Sequence, residues 1–250
     1  MFIYVLLLIG ESMTTNLYLI RHGEALSAIQ GTIGNSDLSP LGIVQAEHLR
    51  DRLAATHEIK ADVFICSTLH RARQTAQIIA PALDAPLLVD EEIEEMRAGG
   101  TDGMPAEEYQ RIYGPIDFRK APLKQPAPGG ESWGEFQLRA ATALERIVHT
   151  YEDKTIVLVC HGGIIDGSFI YFFRLSSLAV PQAGFRTRNT SITHWQKRGP
   201  DRRWRLIRYN DALHLHDIGT STRIPWDQLR ALPASDAERP TDPVPTEEHQ

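Results

Sequence analysis

"LYLIRHGEAL", Leu17–Leu26, runs four apolar residues straight into Arg21-His22-Gly23-Glu24. An aliphatic run with no period of two reads as a buried strand. Such a strand ending in a cation, an imidazole and a glycine has two readings. They are polar turn residues that close the strand, or they are the rim of a ligand site. The rest of the chain decides between the two.

Outward from this stretch, strand and helix patterns alternate. Residues 39–56 (SPLGIVQAEHLRDRLAAT) read as an amphipathic helix, with Ser39 placed to cap it and Pro40 at its first position. Residues 61–67 (ADVFICS) read as a second buried strand, and 69–83 as a helix ended by Pro81 and Pro86. A short third strand is expected within 85–96, a short polar helix over 104–114, a Pro/Gly-rich loop over 114–130 and a long helix over 131–153. A fourth strand over 154–163 leads into a helix over 164–175, and 190–210 alternates about Gly199-Pro200 as a hairpin does. The pattern predicts an α/β fold, a three-layer α/β/α sandwich with a mainly parallel central sheet.

That fold is expected to occupy residues 14–223. Residues 1–13 read as an extension outside it. Their first nine residues are apolar but lack a basic flank and a small-residue cleavage site, and are too few to span a bilayer. Residues 224–250 are rich in Pro, Ser, Asp and Glu and poor in large apolar residues, the composition of a disordered tail.

Composition narrows the function. A chain of 250 residues can bury a full core. Its net charge of -6 leaves no electrostatic footprint for nucleic acid, and the small cluster at Arg202-Arg203 reads as a solvated hairpin turn. Neither a nucleic-acid partner nor a membrane is expected. The two cysteines, Cys66 and Cys160, sit in apolar runs with no metal-ligand spacing. They read as small core hydrophobes of a protein in the reducing cytoplasm.

In a mainly parallel sheet, ligands bind outside the carboxyl ends of the strands. Arg21 and His22 end the first strand, His161 ends the fourth, and Arg71 is expected about one turn inside the helix after Cys66-Ser67. Two His and two Arg thus gather at one sheet edge. A Gly after each His lets backbone come close to a ligand, and nearby helix starts favour anions. Two unpaired cations buried together make a poor stability device and a sensible pocket for a doubly charged phosphoryl group. They make a poor host for a divalent cation, so no metal and no other cofactor is expected.

"LIRHGEA", "LSPLGIVQAEHL", "STLHRARQTA", "EEMRAGGTDG", "GGES" and "VCHGG", followed by "NTSITHW" and "WRLIRYNDALHL", fall in order between Asn16 and Leu215. Together they resemble the histidine phosphatase superfamily, with its phosphoglycerate mutase-like fold. The resemblance implies roles. His22 corresponds to a nucleophile that becomes phosphohistidine, Arg21 and Arg71 to phosphate-clamping arginines, and His161 to the second histidine of the pocket. Glu95, placed by the pattern Ile93, Glu95, Gly99, Gly103, corresponds to the proton donor, with Glu91, Glu92 and Glu94 as the neighbours it must be told from. Substrate contacts are expected from Arg21, Arg71, His161, Gly162, Ser27 and Gly31. A homodimer is implied by the resemblance alone.

Such chemistry asks for a neutral His22 with one ring nitrogen aimed at phosphorus and the other bonded to an acceptor such as a backbone carbonyl. His161 is expected as an imidazolium, and Glu95 as a group that gives a proton to the leaving alkoxide and then takes one from water. Ala25, Ala28, Thr101 and Asp102 stand where the family pattern carries other residues. The short segment between Met96 and Gly130 resembles the phosphatase branch rather than the mutases, which need a more closed site. A mutase-type transfer and a catalytically silent phospho-ligand binder are the alternatives. The rest of a small phosphate ester is expected to meet the 25–37 loop and the 97–130 segment, where Arg97, Tyr109, Arg119 and Lys124 are candidates.

Overall fold

The computed structural model describes residues 13–199 and 201–218. Residues 1–12, Pro200 of the expected hairpin turn and the tail expected over 224–250 lie outside the described residues. Six strands form one sheet: β1 (Thr14–Arg21), β2 (Val63–Ser67), β3 (Leu87–Asp90), β4 (Thr155–Cys160), β5 (Ile192–Arg198) and β6 (Trp204–Asp211). Their order is β3-β2-β4-β1-β5-β6. The first four run parallel, β5 is antiparallel to β1, and β6 is antiparallel to β5. The helices are α1 (Leu26–Gln30), α2 (Pro40–Thr56), α3 (His70–Ile79), α4 (Ala106–Tyr113), α5 (Trp133–Thr150) and α6 (Gly162–Phe172).

The two-residue period of a strand sends alternate side chains to opposite faces, and both faces are apolar. Leu17 and Leu19 of β1, with Ile156 and Leu158 of β4, pack against Phe136, Leu144 and Ile147 of α5 and Ile164 and Ile165 of α6. Tyr18 and Ile20, with Val157 and Val159, pack on the other face against Leu49 and Leu53 of α2 and Ala72, Ala76 and Ile79 of α3. Two cores on one sheet explain why "LYLI" has no polar alternation. The three-layer α/β/α sandwich follows.

Helix starts are fixed locally. The Ser39 hydroxyl accepts from the Gly42 N–H at 2.9 Å and Pro40 opens α2. Ser132 and Glu135 form a reciprocal capping box at the start of α5. Such caps contribute about 1 kcal/mol each. Burial pushes the Cys66 thiol up to about 11 and the Cys160 thiol up as well, in keeping with inert core residues.

The short third strand expected within 85–96 is β3, and it ends where the Asp90 carboxylate accepts from the Glu92 N–H at 3.0 Å and turns the chain into a 3-10 turn, Glu91–Ile93. Two expectations change. The helix expected over 69–83 stops at Ile79 and tightens into a second 3-10 turn, Ala80–Ala82, that carries Pro81. Arg71 is the second residue of α3, in its first turn rather than a turn inside it.

Candidate active site

Parallel pairing of β1 with β4 sets Arg21 beside Cys160. The next residue of each strand is then a histidine, and the His22 N–H donates to the Cys160 carbonyl at 3.0 Å. The two buried rings lie 5.0 Å apart between centroids, tilted by 55°. From the neighbouring strand, the Ser67 hydroxyl meets His161 Nε2 at 2.8 Å. The first turn of α3 brings Arg71 over His22. The chain path into this edge depends on Gly23, where a Cβ would stand 2.5 Å from the Gly42 carbonyl oxygen of α2. The bare face of this glycine abuts a helix, and not the ligand side as the sequence suggested.

His22 has a defined tautomer. Its Nδ1 lies 2.6 Å from the Gly23 carbonyl oxygen, which can only accept, so Nδ1 carries the proton. Nε2 is then an unprotonated acceptor, and Arg71 Nε donates to it at 3.1 Å. Burial, followed by the Arg71 and Arg21 guanidiniums, holds His22 well below the ordinary imidazole value, against the pull of the Gly23 carbonyl. A neutral ring with an unprotonated Nε2 results.

His161 is also held well below the ordinary value, by burial first and then by His22, Arg71, Arg21 and Arg139. The imidazolium expected there is therefore the disfavoured form in the protein alone. His161 Nδ1 and Arg21 Nε are buried without a hydrogen-bond partner. Buried polar atoms are normally paired, so two orphans of this kind at one sheet edge leave two groups free to meet a polar ligand. The Arg21 Nη1 group donates to the Thr187 carbonyl. Burial lowers both arginines from their ordinary value, with Glu95 opposing that shift.

Glu95 lies in the loop after the Glu91–Ile93 turn and reaches the histidine edge. Its Oε2 accepts from the Gly163 N–H at 3.0 Å and its Oε1 from the Met96 N–H at 2.9 Å. Glu94 turns elsewhere, to Thr68 and to Arg97 Nε at 3.0 Å. The loop is clamped by Arg139 of α5, only 8% exposed, which donates to the carbonyls of Glu92, Glu94 and Glu95 at 2.8–3.1 Å. Glu131 holds that arginine through two bonds of 2.6 Å and also accepts from the Arg97 N–H at 2.9 Å. Burial pushes the Glu131 carboxyl up, yet the bonds from Arg139 and Arg97 outweigh it and leave the group below its ordinary value. This gives the "GGES" stretch a physical purpose: Glu131 aims the arginine that holds the Glu95 loop.

A cavity of about 420 Å³ opens over Arg71 and Glu95 and is also lined by Glu94, Arg97 and Asp102. Gly162 lies beside Arg21, with 3.8 Å from a Cβ placed there to Arg21 Nε. Ser27 and Gly31 belong to α1 and its C-cap, and neither lines this cavity. Arg119 pairs with Asp117 at 2.9 Å, and neither it nor Lys124 lines the cavity.

Sequence reasoning missed Asp166, Arg139 and Ser67. Asp166 stands on α6, its Oδ1 buried without a partner. Burial first, then the charge of Glu95, pushes its carboxyl up to about 7, with Arg21 pulling the other way. Its only signal is an acid within the apolar run that follows "HGG". Arg139 has none, since an arginine in an amphipathic helix reads as a solvated face. Among the described residues, no three His, Cys, Asp or Glu side chains are arranged to hold a metal ion, and no helix is long and apolar enough to cross a membrane.

Two arginines and an unprotonated imidazole nitrogen at the carboxyl edge of a mostly parallel sheet fit an α/β enzyme that handles phosphoryl groups. The chain belongs to the histidine phosphatase superfamily, branch 1, whose family model matches residues 17–212, and it is a phosphatase. Over 218 residues it is 30% identical to the metal-independent phosphoserine phosphatase of Arabidopsis thaliana, covering 84% of this chain and 87% of that protein. Among solved structures it resembles a phosphoserine phosphatase mutant from Entamoeba histolytica in complex with phosphoserine. That match has 28% identity and a TM-score of 0.63, over 80% of this chain and 99% of the other. It also resembles YhfR of Bacillus stearothermophilus, at 27% identity and a TM-score of 0.66, again over 80% and 99% of the two chains.

Proposed function

We propose that the protein hydrolyses small phosphate monoesters through a phosphohistidine on His22. The observation that carries this reading is the His22 tautomer, with Nδ1–H held by the Gly23 carbonyl and Nε2 left unprotonated, its lone pair accepting only the Arg71 Nε–H. In the first step Nε2 attacks phosphorus in line and the P–O bond to the alcohol breaks. Arg71 shifts its Nε–H from the histidine to an equatorial oxygen, and Arg21 offers its unpaired Nε–H. Glu95, as the general acid, gives a proton to the departing alkoxide. In the second step the same carboxylate takes a proton from water, which attacks phosphorus, and the P–N bond breaks to free His22 and phosphate.

The dianion supplies what His161 lacks in the protein alone. Its negative charge opposes the burial and arginine effects that keep the ring neutral, so His161 Nδ1 can donate to a phosphate oxygen as an imidazolium. The buried free thiols fit the reducing cytoplasm as the place of action. The test is phosphate release from alkyl phosphates by the wild type and by His22→Ala. The variant is expected to lose nearly all turnover while still binding phosphate through Arg21 and Arg71. Turnover near the wild-type rate in the variant overturns the reading.

A further inference from the structure

The cavity over Arg71 and Glu95 continues into a second one of about 330 Å³, and Ile33, Met96, Arg97 and Ala98 line both. The two differ in chemistry. Glu94, Glu95 and Asp102 line the first, whereas Arg97 is the one charged residue lining the second. That cation is committed, with Nε 3.0 Å from Glu94 Oε2 and an Nη 3.6 Å from Glu92 Oε1. The polar groups of the second cavity are committed as well. The Tyr109 hydroxyl donates to the Pro126 carbonyl at 3.2 Å, and the Thr101 hydroxyl to the Ala98 carbonyl at 2.8 Å. What remains facing the space is apolar: Ile33, Met96, Ile116 and Phe118, all half-buried.

A concave apolar surface next to a reaction centre gains free energy from an apolar group that removes it from water. It offers no opposite charge to an ammonium, since no carboxylate lines it, and little to a carboxylate, since its arginine is already paired. We propose that this annex is the subsite for the leaving alcohol, and that the substrates are phosphate monoesters whose alcohol carries an aromatic ring or a branched hydrocarbon. The inference rests on the phosphatase reading of the site. Serine or glycerol esters, whose polar groups lie within three bonds of the ester carbon, stay in the charged cavity and leave the annex unused.

The experiment compares kcat/KM for 3-phenylpropyl phosphate, O-phosphoserine and glycerol 1-phosphate, all of which leave as alkoxides, with nitrophenyl phosphate as the control for competence. The phenylpropyl ester is expected to be preferred roughly tenfold or more, the factor that burial of such an apolar group supplies. Phe118→Ala should lower kcat/KM for that ester by roughly the same factor and leave glycerol phosphate within about twofold. Ile116→Ala, a smaller change on the same wall, should act in the same direction and serves if Phe118→Ala does not fold. Preference for phosphoserine or glycerol phosphate, or equal losses on both esters in a folded variant, overturns the subsite while the phosphatase reading stands. No phosphate from any ester, nitrophenyl phosphate included, overturns the catalytic reading and the subsite with it.

Discussion

The backbone N–H of Gly163 donates to Oε2 of Glu95 at 3.0 Å, and a Cβ on Gly163 would stand 2.2 Å from the other carboxylate oxygen, Oε1. A side chain from a loop after β3 is thereby seated on the first turn of α6, next to His161. Phe136 Cζ would also meet that Cβ, at 2.8 Å. The seat accepts the carboxylate only because residue 163 has no side chain.

Gly163→Ala should therefore displace Glu95 rather than unfold the protein, since a carboxylate at the end of a flexible side chain gives way more readily than backbone. The expected outcome is a fall in kcat of about tenfold to a hundredfold on alkyl phosphates, in line with loss of well-placed general acid catalysis. The thermal midpoint should fall by only a few degrees, because the buried Phe136 ring must also give way. Steady-state kinetics with thermal unfolding checks both. Full activity would mean that Glu95 does not work from this seat.

Glu95→Gln keeps the shape and removes the transferable proton. An alkyl ester leaves as a strongly basic alkoxide, so its cleavage should slow by about 10²–10⁴-fold. Nitrophenol leaves as a stabilised phenolate, so its release in the first turnover should fall far less. Dephosphorylation of His22 then becomes the slow step and a nitrophenol burst is expected. Equal losses on both esters in single-turnover experiments would remove Glu95 as the donor and turn attention to Asp102, which lines the same cavity.

The site's electrostatics were only partly legible in the sequence. Arg21, His22 and His161 could be found because an apolar strand delivers whatever follows it to a sheet edge, and Arg71 because it opens the next helix. The purpose of Gly23, and the need for a glycine at 163, do not show in the sequence. Gly23 makes room for α2 and Gly163 for Glu95, approaches between distant segments that local spacing does not encode. Helix α1 was missed because five residues with no side-chain cap leave no periodic signal. Only the resemblance singles out Glu95, since in "DEEIEEM" nothing local tells one glutamate from the next. The Asp90 turn and the Arg139 clamp make that choice.

Asp166 predicts a pH dependence of stability. Its carboxyl titrates near 7 in the folded protein against an ordinary 3.8, so the folded state holds a proton that the unfolded state has released. More protons on the folded state means that stability falls as pH rises from about 4 to 7. Asp166→Asn removes that loss, so the variant should gain stability over the wild type at pH 8 and not at pH 4. Chemical denaturation at the two pH values reads the difference. His22 and His161, neutral when buried, lose stability towards acid in both proteins and cancel from it. An equal difference at both pH values would mean that Asp166 ionises normally.

Chelation should leave turnover unchanged. Arg21 and Arg71 are placed to meet the phosphoryl charge that a metal would otherwise neutralise. Activity before and after EDTA, with phosphate release as the readout, checks this. Strong loss restored by zinc or magnesium would contradict the arrangement of charges described above.

The most direct measurement is a rapid acid-free quench of the wild type mixed with a phosphate ester labelled on phosphorus, followed by peptide mapping. Label that is stable to base, labile to acid and confined to His22 is the predicted result, absent in His22→Ala and accumulating in Glu95→Gln. Turnover with no protein-bound label, or label on His161 in place of His22, would contradict a phosphohistidine formed on the unprotonated Nε2 of His22.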